Sequence, residues 1–394
     1  MVRVVHAADL HIDATYAFLT GEKLHERRND FLGSLDNILN CCKDLHADIL
    51  LISGDFYDKV NPTNEARYHA LSSLKNFSNN NSTKVFIVSG NHDEPKTPGS
   101  RSPLDSLSIV NNVHVATGGH WKQFKQKCDG FSLGLYLRGY DGIHPQRNPF
   151  SNVQIGEEDV NIAIAHGSLI SANAIYPNFM DYAPFTEKDC SGLNFDYYAL
   201  GHLHKNQLSN SKSNIFCYPG CPQRYSFKES EGEKGVVYID IDRKVDEDAI
   251  EFIPLPCREL INQEITLDKS MTNLEEIILE KIKGNGENKL LNIILTGEIY
   301  FDVYRNLRLS KVVSKLSENW FAIKVDREFS VYDPESDFNF NELKSVGPIE
   351  EFRNYMQEKI VDAKHEENTE FVRILNWQLE KGLEILYEFD GGSQ

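Results

Sequence analysis

Short apolar runs, each stopped abruptly by Gly, Asp, Asn or His, recur through the first half of the chain. Val2 to Ala8, Asp48 to Ser53, Lys84 to Ser89, Val160 to Ala165 and Tyr197 to Leu200 have the pattern of buried strands. Between them, Glu22 to His46 sets Leu24, Phe31, Leu35, Ile38, Leu39, Cys42 and Leu45 at helical spacing, and Asn64 to Phe77 predicts a second helix. Strands alternating with core-packed crossover helices predict an α/β fold. After about residue 245 the pattern changes. Strand-like Ile250 to Leu255, helix-like Asn273 to Lys283, strand-like Leu290 to Ile299, helix-like Tyr304 to Glu318 and strand-like Phe321 to Tyr332 predict a small α+β unit. Asp333 to Asp337 reads as a linker, and beyond Pro348 two polar helices are expected near Ile349 to Ala363 and Glu366 to Glu388. The chain shows no internal repeat and no low-complexity tract.

The residues directly after these strands carry the chemistry. Asp9-x-His11, Gly54-Asp55-x-x-Asp58, Gly90-Asn91-His92-Asp93, Ala165-His166-Gly167 and Gly201-His202-x-His204 each stand at the end of a strand candidate. One such fragment alone is ordinary turn or core-histidine chemistry. Five in this order are hard to assemble by accident, and the carboxyl ends of strands are where α/β sheets place their sites. Imidazole, carboxylate and amide oxygen together make a mixed N/O donor set. Such a set suits Mn²⁺, Fe²⁺ or Zn²⁺ and is poor for soft metals or Ca²⁺.

Composition sharpens this picture in three respects. The 394 residues, 40% hydrophobic and 25% charged, are ordinary for a globular protein of two or three domains with cores large enough to need no staples. The seven cysteines are scattered without a C-x-x-C pair, and no segment reads as a leader or a membrane span. Reduced thiols in a cytoplasmic protein are therefore expected. The net charge of −18 is uneven: residues 241–394 carry 19 basic against 32 acidic side chains, whereas twelve of the thirteen histidines lie in residues 1–204. Metal or acid/base chemistry is expected in the first part, and an interaction or support role in the second.

These five motifs resemble the calcineurin-like metallophosphoesterase superfamily over residues 1 to about 240. Within it, the start His6-Ala7-Ala8-Asp9-Leu10-His11, the Gly54-Asp55-Phe56-Tyr57-Asp58 segment and Tyr218-Pro219-Gly220 to Gln223-Arg224-x-Ser226-Phe227 are similar to the SbcD-type DNA repair nucleases, YhaO-type members included. The resemblance implies a two-sheet sandwich flanked by helices (residues 1–245), an α+β DNA-capping domain (246–332), a linker (333–347) and C-terminal helices (348–390). It implies two divalent ions, Mn²⁺ foremost, with Fe²⁺, Mg²⁺ or Zn²⁺ also compatible. One ion would take Asp9, His11 and His204, the other Asn91, His166 and His202, with Asp55 bridging. His92 would be a non-ligand histidine facing the scissile phosphate. Asp58 and Asp93 would orient ligand histidines or loop backbone, or serve simply as turn carboxylates. The activity implied is a Mn²⁺-dependent DNA exonuclease and single-strand endonuclease in double-strand-break repair. The implied assembly is a homodimer in the cytoplasm, nucleoid-associated in a prokaryote, with an SbcC-like ABC-type ATPase.

Several features stay open from sequence. Lys122, Lys125 and Lys127, interleaved with Trp121 and Phe124, fit either a DNA contact or a solvated face, and Arg101 and Arg224 fit phosphate contacts or ordinary surface. The last helix sets Phe371, Leu375, Leu379, Leu383 and Leu386 on one side, for packing on its own domain or for docking on the ATPase. A chain this acidic is unusual for a DNA-binding protein, since phosphate contacts are dominated by Lys and Arg. Two other functions compete: a phosphodiesterase on small or cyclic nucleotide diesters, which would need no cap or tail, and a non-catalytic DNA-end scaffold, which would need neither a full ligand set nor His92.

Overall fold

The computed structural model describes residues 1–170, 182–211, 214–282, 284 and 286–332, with helical positions 353, 356, 359–360, 371–372, 374–379 and 381–382. Its strands in chain order are β1 (Val2–Ala7), β2 (Ile49–Ser53), β3 (Lys84–Val88), β4 (Val113–Ala116), β5 (Trp121–Cys128), β6 (Phe131–Arg138), β7 (Val160–His166) and β8 (Tyr197–Gly201). They continue with β9 (Gln207–Ser211), β10 (Asn214–Tyr218), β11 (Gly235–Ile241), β12 (Ile250–Pro254), β13 (Leu260–Leu267), β14 (Gly286–Tyr300), β15 (Trp320–Arg327) and β16 (Ser330–Tyr332). The α-helices are α1 (Gly21–Asp44), α2 (Asn64–Asn80), α3 (Glu187–Cys190), α4 (Leu274–Lys281), α5 (Phe301–Asn306) and α6 (Leu309–Leu316). The fold is mixed α/β, and no described helix is long and apolar enough to cross a membrane.

Contacts divide the chain into two compact units. The first comprises Met1–Asn262, Gly286–Asn292 and Asn319–Lys324, the second Gln263–Asn285, Ile293–Glu318 and Val325–Gln394. In the first unit two sheets face each other, with strand orders β12-β11-β1-β2-β3-β4 and β5-β6-β7-β8-β10-β9. Strands β1 to β4 run parallel, as do β6, β7, β8 and β10. Their carboxyl ends therefore gather at one edge of each sheet.

The unbroken apolar runs are explained by burial on both strand faces. Val4, Leu51, Phe86 and Val88 point into the sandwich against Leu135, Leu137, Ile162, Ile164 and Tyr197. Their neighbours Val5, Leu50, Ile52, Val85 and Ile87 point outward, under Leu32, Leu35 and Ile38 of α1 and Ala70, Leu74 and Phe77 of α2. The far face of the second sheet carries Ala163, Ala165, Tyr198 and Phe216 beneath Phe150, Phe185 and Phe195. Each such side chain contributes roughly 1.5–3 kcal/mol by leaving water. Polar contacts also cross the sandwich at His6: its Nε2 lies 3.0 Å from Ser53 Oγ and its Nδ1 2.9 Å from the Tyr197 hydroxyl, while Ser53 Oγ donates to the Ala199 carbonyl at 3.1 Å.

Three sequence expectations change. Ile250–Pro254 does not open a new unit but pairs antiparallel with Gly235–Ile239, at the edge of the first sheet. The helix expected over Tyr304 to Glu318 breaks into α5 and α6 at Leu307, whose backbone is extended, and the Arg308 N–H, freed from the helical ladder, donates to Glu275 Oε1 at 2.8 Å. The strand expected over Phe321 to Tyr332 divides into β15 and β16, and β16 pairs with β14. In the second unit α4 and α6 pack together and bury Leu274, Ile278, Val312 and Leu316. Leu375, Val372 and Leu379 pack on Met356 and Ile360, whereas Phe371, Ile374 and Trp377 are exposed. The expected linker and Leu383 and Leu386 lie outside the described residues.

Candidate metal centre

The five motifs meet because the loops after β1 and β2 continue the parallel ladder beyond the strands. Asp9 N donates to Gly54 O (3.1 Å), His11 N to Asp55 O (3.0 Å) and Ile12 N to Phe56 O (2.9 Å), and β7 and β8 deliver His166 and His202 opposite. Four of the candidate ligands hold left-handed backbone: Asp9 (φ 54°), His11 (45°), Asp55 (46°) and His202 (108°). Non-glycine residues reach this region at a cost of about 1–3 kcal/mol each, and such strain clusters at functional sites. Gly90 is a close-approach glycine here, since a Cβ on it would fall 2.1 Å from Asp55 Oδ1.

Buried Asp9, His11, Asp55 and His166 line one pocket with Asn91, His202, His204 and His92. Each imidazole is turned by a contact on its far side or its near neighbour. His166 Nδ1 donates to the Ser53 carbonyl (3.0 Å), so Nε2 faces Asn91 Oδ1 at 2.9 Å and Asp55 Oδ2 at 3.4 Å. His204 Nδ1 donates to Glu229 Oε1 (2.8 Å), leaving Nε2 directed at His11 Nε2, 3.0 Å away. His202 Nδ1 lies 3.2 Å from Asn91 Oδ1, and its backbone N–H donates to both Asp9 carboxylate oxygens at 3.0 and 3.1 Å. His11 Nδ1 sits 3.2 Å from Asp58 Oδ1 at an angle short of a hydrogen bond, and its Nε2 is 3.9 Å from Asp55 Oδ2.

This geometry fits a bound cation. With the Nδ1 of His166 and His204 engaged, the Nε2 lone pairs of the neutral rings point at other acceptors, Asn91 Oδ1 and His11 Nε2. Either a proton or a metal ion must lie between them. Without a metal, protons fill the gap. Burial lowers the affinity of His166 for a proton, yet Asp55 and Asp9 outweigh it and raise the ring to about 9. Burial also works against ionised Asp55, but the His166 imidazolium holds it well below the usual carboxylate range. His202, in contrast, is driven down to about 3 by burial and then by His166. Two buried carboxylates, Asp9 and Asp55, facing imidazole and amide donors make the pocket suited to divalent cations.

The remaining candidates fare differently. His92 adjoins the cluster, its N–H donating to Asp55 Oδ1 (2.9 Å) and its Nδ1 to the Asp58 carbonyl (2.9 Å), with Nε2 left for the pocket. Asp93 is buried and accepts from Tyr57 N (3.1 Å) and Gly90 N (2.8 Å), so it ties two motif loops together and touches no ligand imidazole. The three lysines do not form one patch: all are exposed on β5, but Lys122 stands on the opposite face from Lys125 and Lys127, and Lys125 pairs with Glu158. Arg224 is spent on its own chain, donating to Glu229 O (3.1 Å), Gly232 O (2.7 Å) and Cys257 Sγ (3.3 Å). Arg101 is exposed on the loop before Pro103–Ile109. Sequence reasoning missed Tyr225, whose ring packs 4.5 Å from His11, and the group behind His204 formed by buried Cys221 and Lys234 with half-buried Glu229. The available signal was their closeness to the Tyr218-Pro219-Gly220 segment.

Residues 2–206 match the sequence profile of the calcineurin-like phosphoesterases. The metallophosphoesterase YhaO of Bacillus subtilis, itself uncharacterized, is 23% identical over 305 residues, spanning 74% of this chain and 71% of that protein. The DNA double-strand break repair protein Mre11 of Methanocaldococcus jannaschii is 28% identical over 279 residues (68% and 70%). The SbcD component of the Bacillus subtilis nuclease SbcCD is 25% identical over 264 residues (61% and 66%).

Proposed function

The chain belongs to the calcineurin-like phosphoesterase family, and on that premise we propose that it is a Mn²⁺-dependent DNA nuclease, exonuclease and single-strand endonuclease. We place it in double-strand-break repair, acting with an SbcC-like ABC-type ATPase. The observation that carries the reading is the convergence of Asp9, His11, Asp55, Asn91, His166, His202 and His204 with His92 at their rim, in a chain similar to a double-strand break repair protein and a nuclease component. Asp9, His11 and His204 would hold one divalent ion and Asn91, His166 and His202 the other, with Asp55 shared. When bound, two such ions supply Lewis acidity toward phosphoryl oxygens and a nucleophile at neutral pH.

The chain's own residues do the rest. Burial of Asp9, Asp55 and His166 keeps bulk water from screening the site, which strengthens every charge interaction inside. Asp55 and the Asp58 carbonyl fix the backbone and ring of His92, and with Nδ1–H held by that carbonyl, the imidazolium form carries a second proton on Nε2 that can pass to the leaving oxygen as the P–O bond breaks. General acid catalysis of this kind contributes about 10²–10⁴-fold. The excess acid beyond residue 240 is compatible with DNA as substrate if the ATPase, in a cytoplasmic assembly around a homodimer, brings the basic groove. The α+β part of the chain beyond β12 would then limit which DNA ends are admitted.

The test is cleavage of linear duplex, single-stranded and hairpin DNA alongside bis-p-nitrophenyl phosphate, with Mn²⁺, by the wild type and His92→Ala. Metal-dependent DNA degradation that falls roughly 100-fold or more in the variant, with metal content retained, is the expected result. Turnover of the small diester with every DNA untouched, even after the ATPase is added, would replace the nuclease with a small-diester phosphodiesterase.

A further inference from the structure

Behind His204 lies a polar cluster that none of the strand-end motifs contains. Glu229 Oε1 accepts from His204 Nδ1 at 2.8 Å, and its Oε2 accepts from Lys234 Nζ (2.7 Å), the Cys221 thiol (3.1 Å) and Tyr225 N (3.2 Å). Lys234 Nζ also donates to the His204 carbonyl at 2.9 Å. One ammonium thus holds both the carboxylate and the backbone of the histidine which that carboxylate orients. Lys234 is only 6% exposed and Cys221 1%.

Burying an ammonium and a carboxylate costs more desolvation than their attraction readily returns, so such a pair is a weak device for stability alone. Its position points to another use. Two other candidate imidazoles have weaker support: His166 is backed by the neutral Ser53 carbonyl, and the Asp58 carboxylate meets His11 off the hydrogen-bonding direction. His204 is backed by a carboxylate aligned on its far nitrogen, and that carboxylate is itself held by the Lys234 ammonium. A carboxylate on the far nitrogen fixes the tautomer and makes the near nitrogen a stronger donor. Cys221, Tyr225, Glu229 and Lys234 all lie beyond the stretch 2–206 that matches the family profile.

We propose that Glu229, anchored by Lys234, is a positioning residue for His204 and makes the Asp9–His11–His204 side the tighter of two cation sites, so that the Asn91–His166–His202 side fills second. This rests on the two-metal reading above. Calorimetric titration of Mn²⁺ into the metal-free full chain tests it, with the visible spectrum of the Co²⁺-loaded protein as a second readout of donor strength. The wild type should bind in two steps. Glu229→Gln, which keeps an acceptor but removes the charge, should weaken the tighter step by about 10–100-fold, leave the weaker step in place and shift the Co²⁺ bands. Should the single variant misfold, Glu229→Gln with Lys234→Met removes both charges of the pair and must show the same selective loss. Unchanged steps, loss confined to the weaker step, or equal weakening of both would overturn the proposal while leaving the two-metal reading intact. A wild type that binds no Mn²⁺ would overturn both.

Discussion

Gly54→Ala probes how tightly the centre is built. Gly54 sits between β2 and Asp55 with φ +91°, and a Cβ there would fall 2.2 Å from Nδ1, 2.6 Å from Cγ and 2.8 Å from Cβ of His166. Ordinary contact begins near 3.4 Å, so the ring must retreat by more than about 1 Å. Rotation about χ1 cannot supply this, because the His166 Cβ itself clashes, and β7 must shift. Overpacking of a closed core costs about 1–3 kcal/mol, and an alanine in left-handed backbone adds about 1–2 kcal/mol, for a loss of about 2–5 kcal/mol. A misplacement near 1 Å also costs on the order of 10²-fold in rate. Urea unfolding of the metal-free protein measures the first quantity, and hydrolysis of bis-p-nitrophenyl phosphate at saturating Mn²⁺ the second. Gly21→Ala is the control, since Gly21 also has positive φ (+55°) but nothing within 4 Å of its Cβ position. It should lose roughly 1–2 kcal/mol and no activity. If the two variants behave alike, His166 is not held as described.

Other consequences arise from particular contacts. His6 is buried and driven down to about 3 by desolvation, against 6.5 for the free ring, so the unfolded chain binds the extra proton throughout that window. Stability should therefore fall as pH drops below about 6.5, reaching roughly 2 kcal/mol lost to this group by pH 5. Denaturant unfolding of wild type and His6→Asn should differ by that much more at pH 7 than at pH 5, and a pH-independent difference would contradict the assignment. Arg224→Ala should cost roughly 2 kcal/mol through its lost carbonyl contacts. It should leave the salt dependence of DNA binding unchanged, whereas a lost phosphate contact would flatten the log–log slope by about 0.9.

Much of the centre was legible because its residues stand where apolar strands stop: nothing but a strand end explains His166 after Val160-Asn161-Ile162-Ala163-Ile164-Ala165 or Asp55 after Ile49 to Ser53. Glu229 and Lys234 were hidden for the opposite reason. They lie in Lys228-Glu229-Ser230-Glu231-Gly232-Glu233-Lys234, a run that reads as solvated loop, and only the fold shows that two of its charges turn inward while Glu231 and Glu233 stay exposed. The three lysines of β5 failed as a patch because strand alternation sends Lys122 to the face opposite its neighbours. Ile250–Pro254 carries no local mark of which sheet it joins, since edge pairing is decided by the partner β11. The Arg308 N–H released at the break between α5 and α6 finds its acceptor in Glu275, more than thirty residues away in sequence.

Anomalous diffraction at the manganese edge from crystals of the full chain grown with Mn²⁺ would locate the ions themselves. Two peaks about 3.5–4 Å apart are expected, one against Asp9, His11 and His204 and the other against Asn91, His166 and His202, with Asp55 between them. A single peak, peaks outside this cluster, or none at millimolar Mn²⁺ would contradict the two-metal reading.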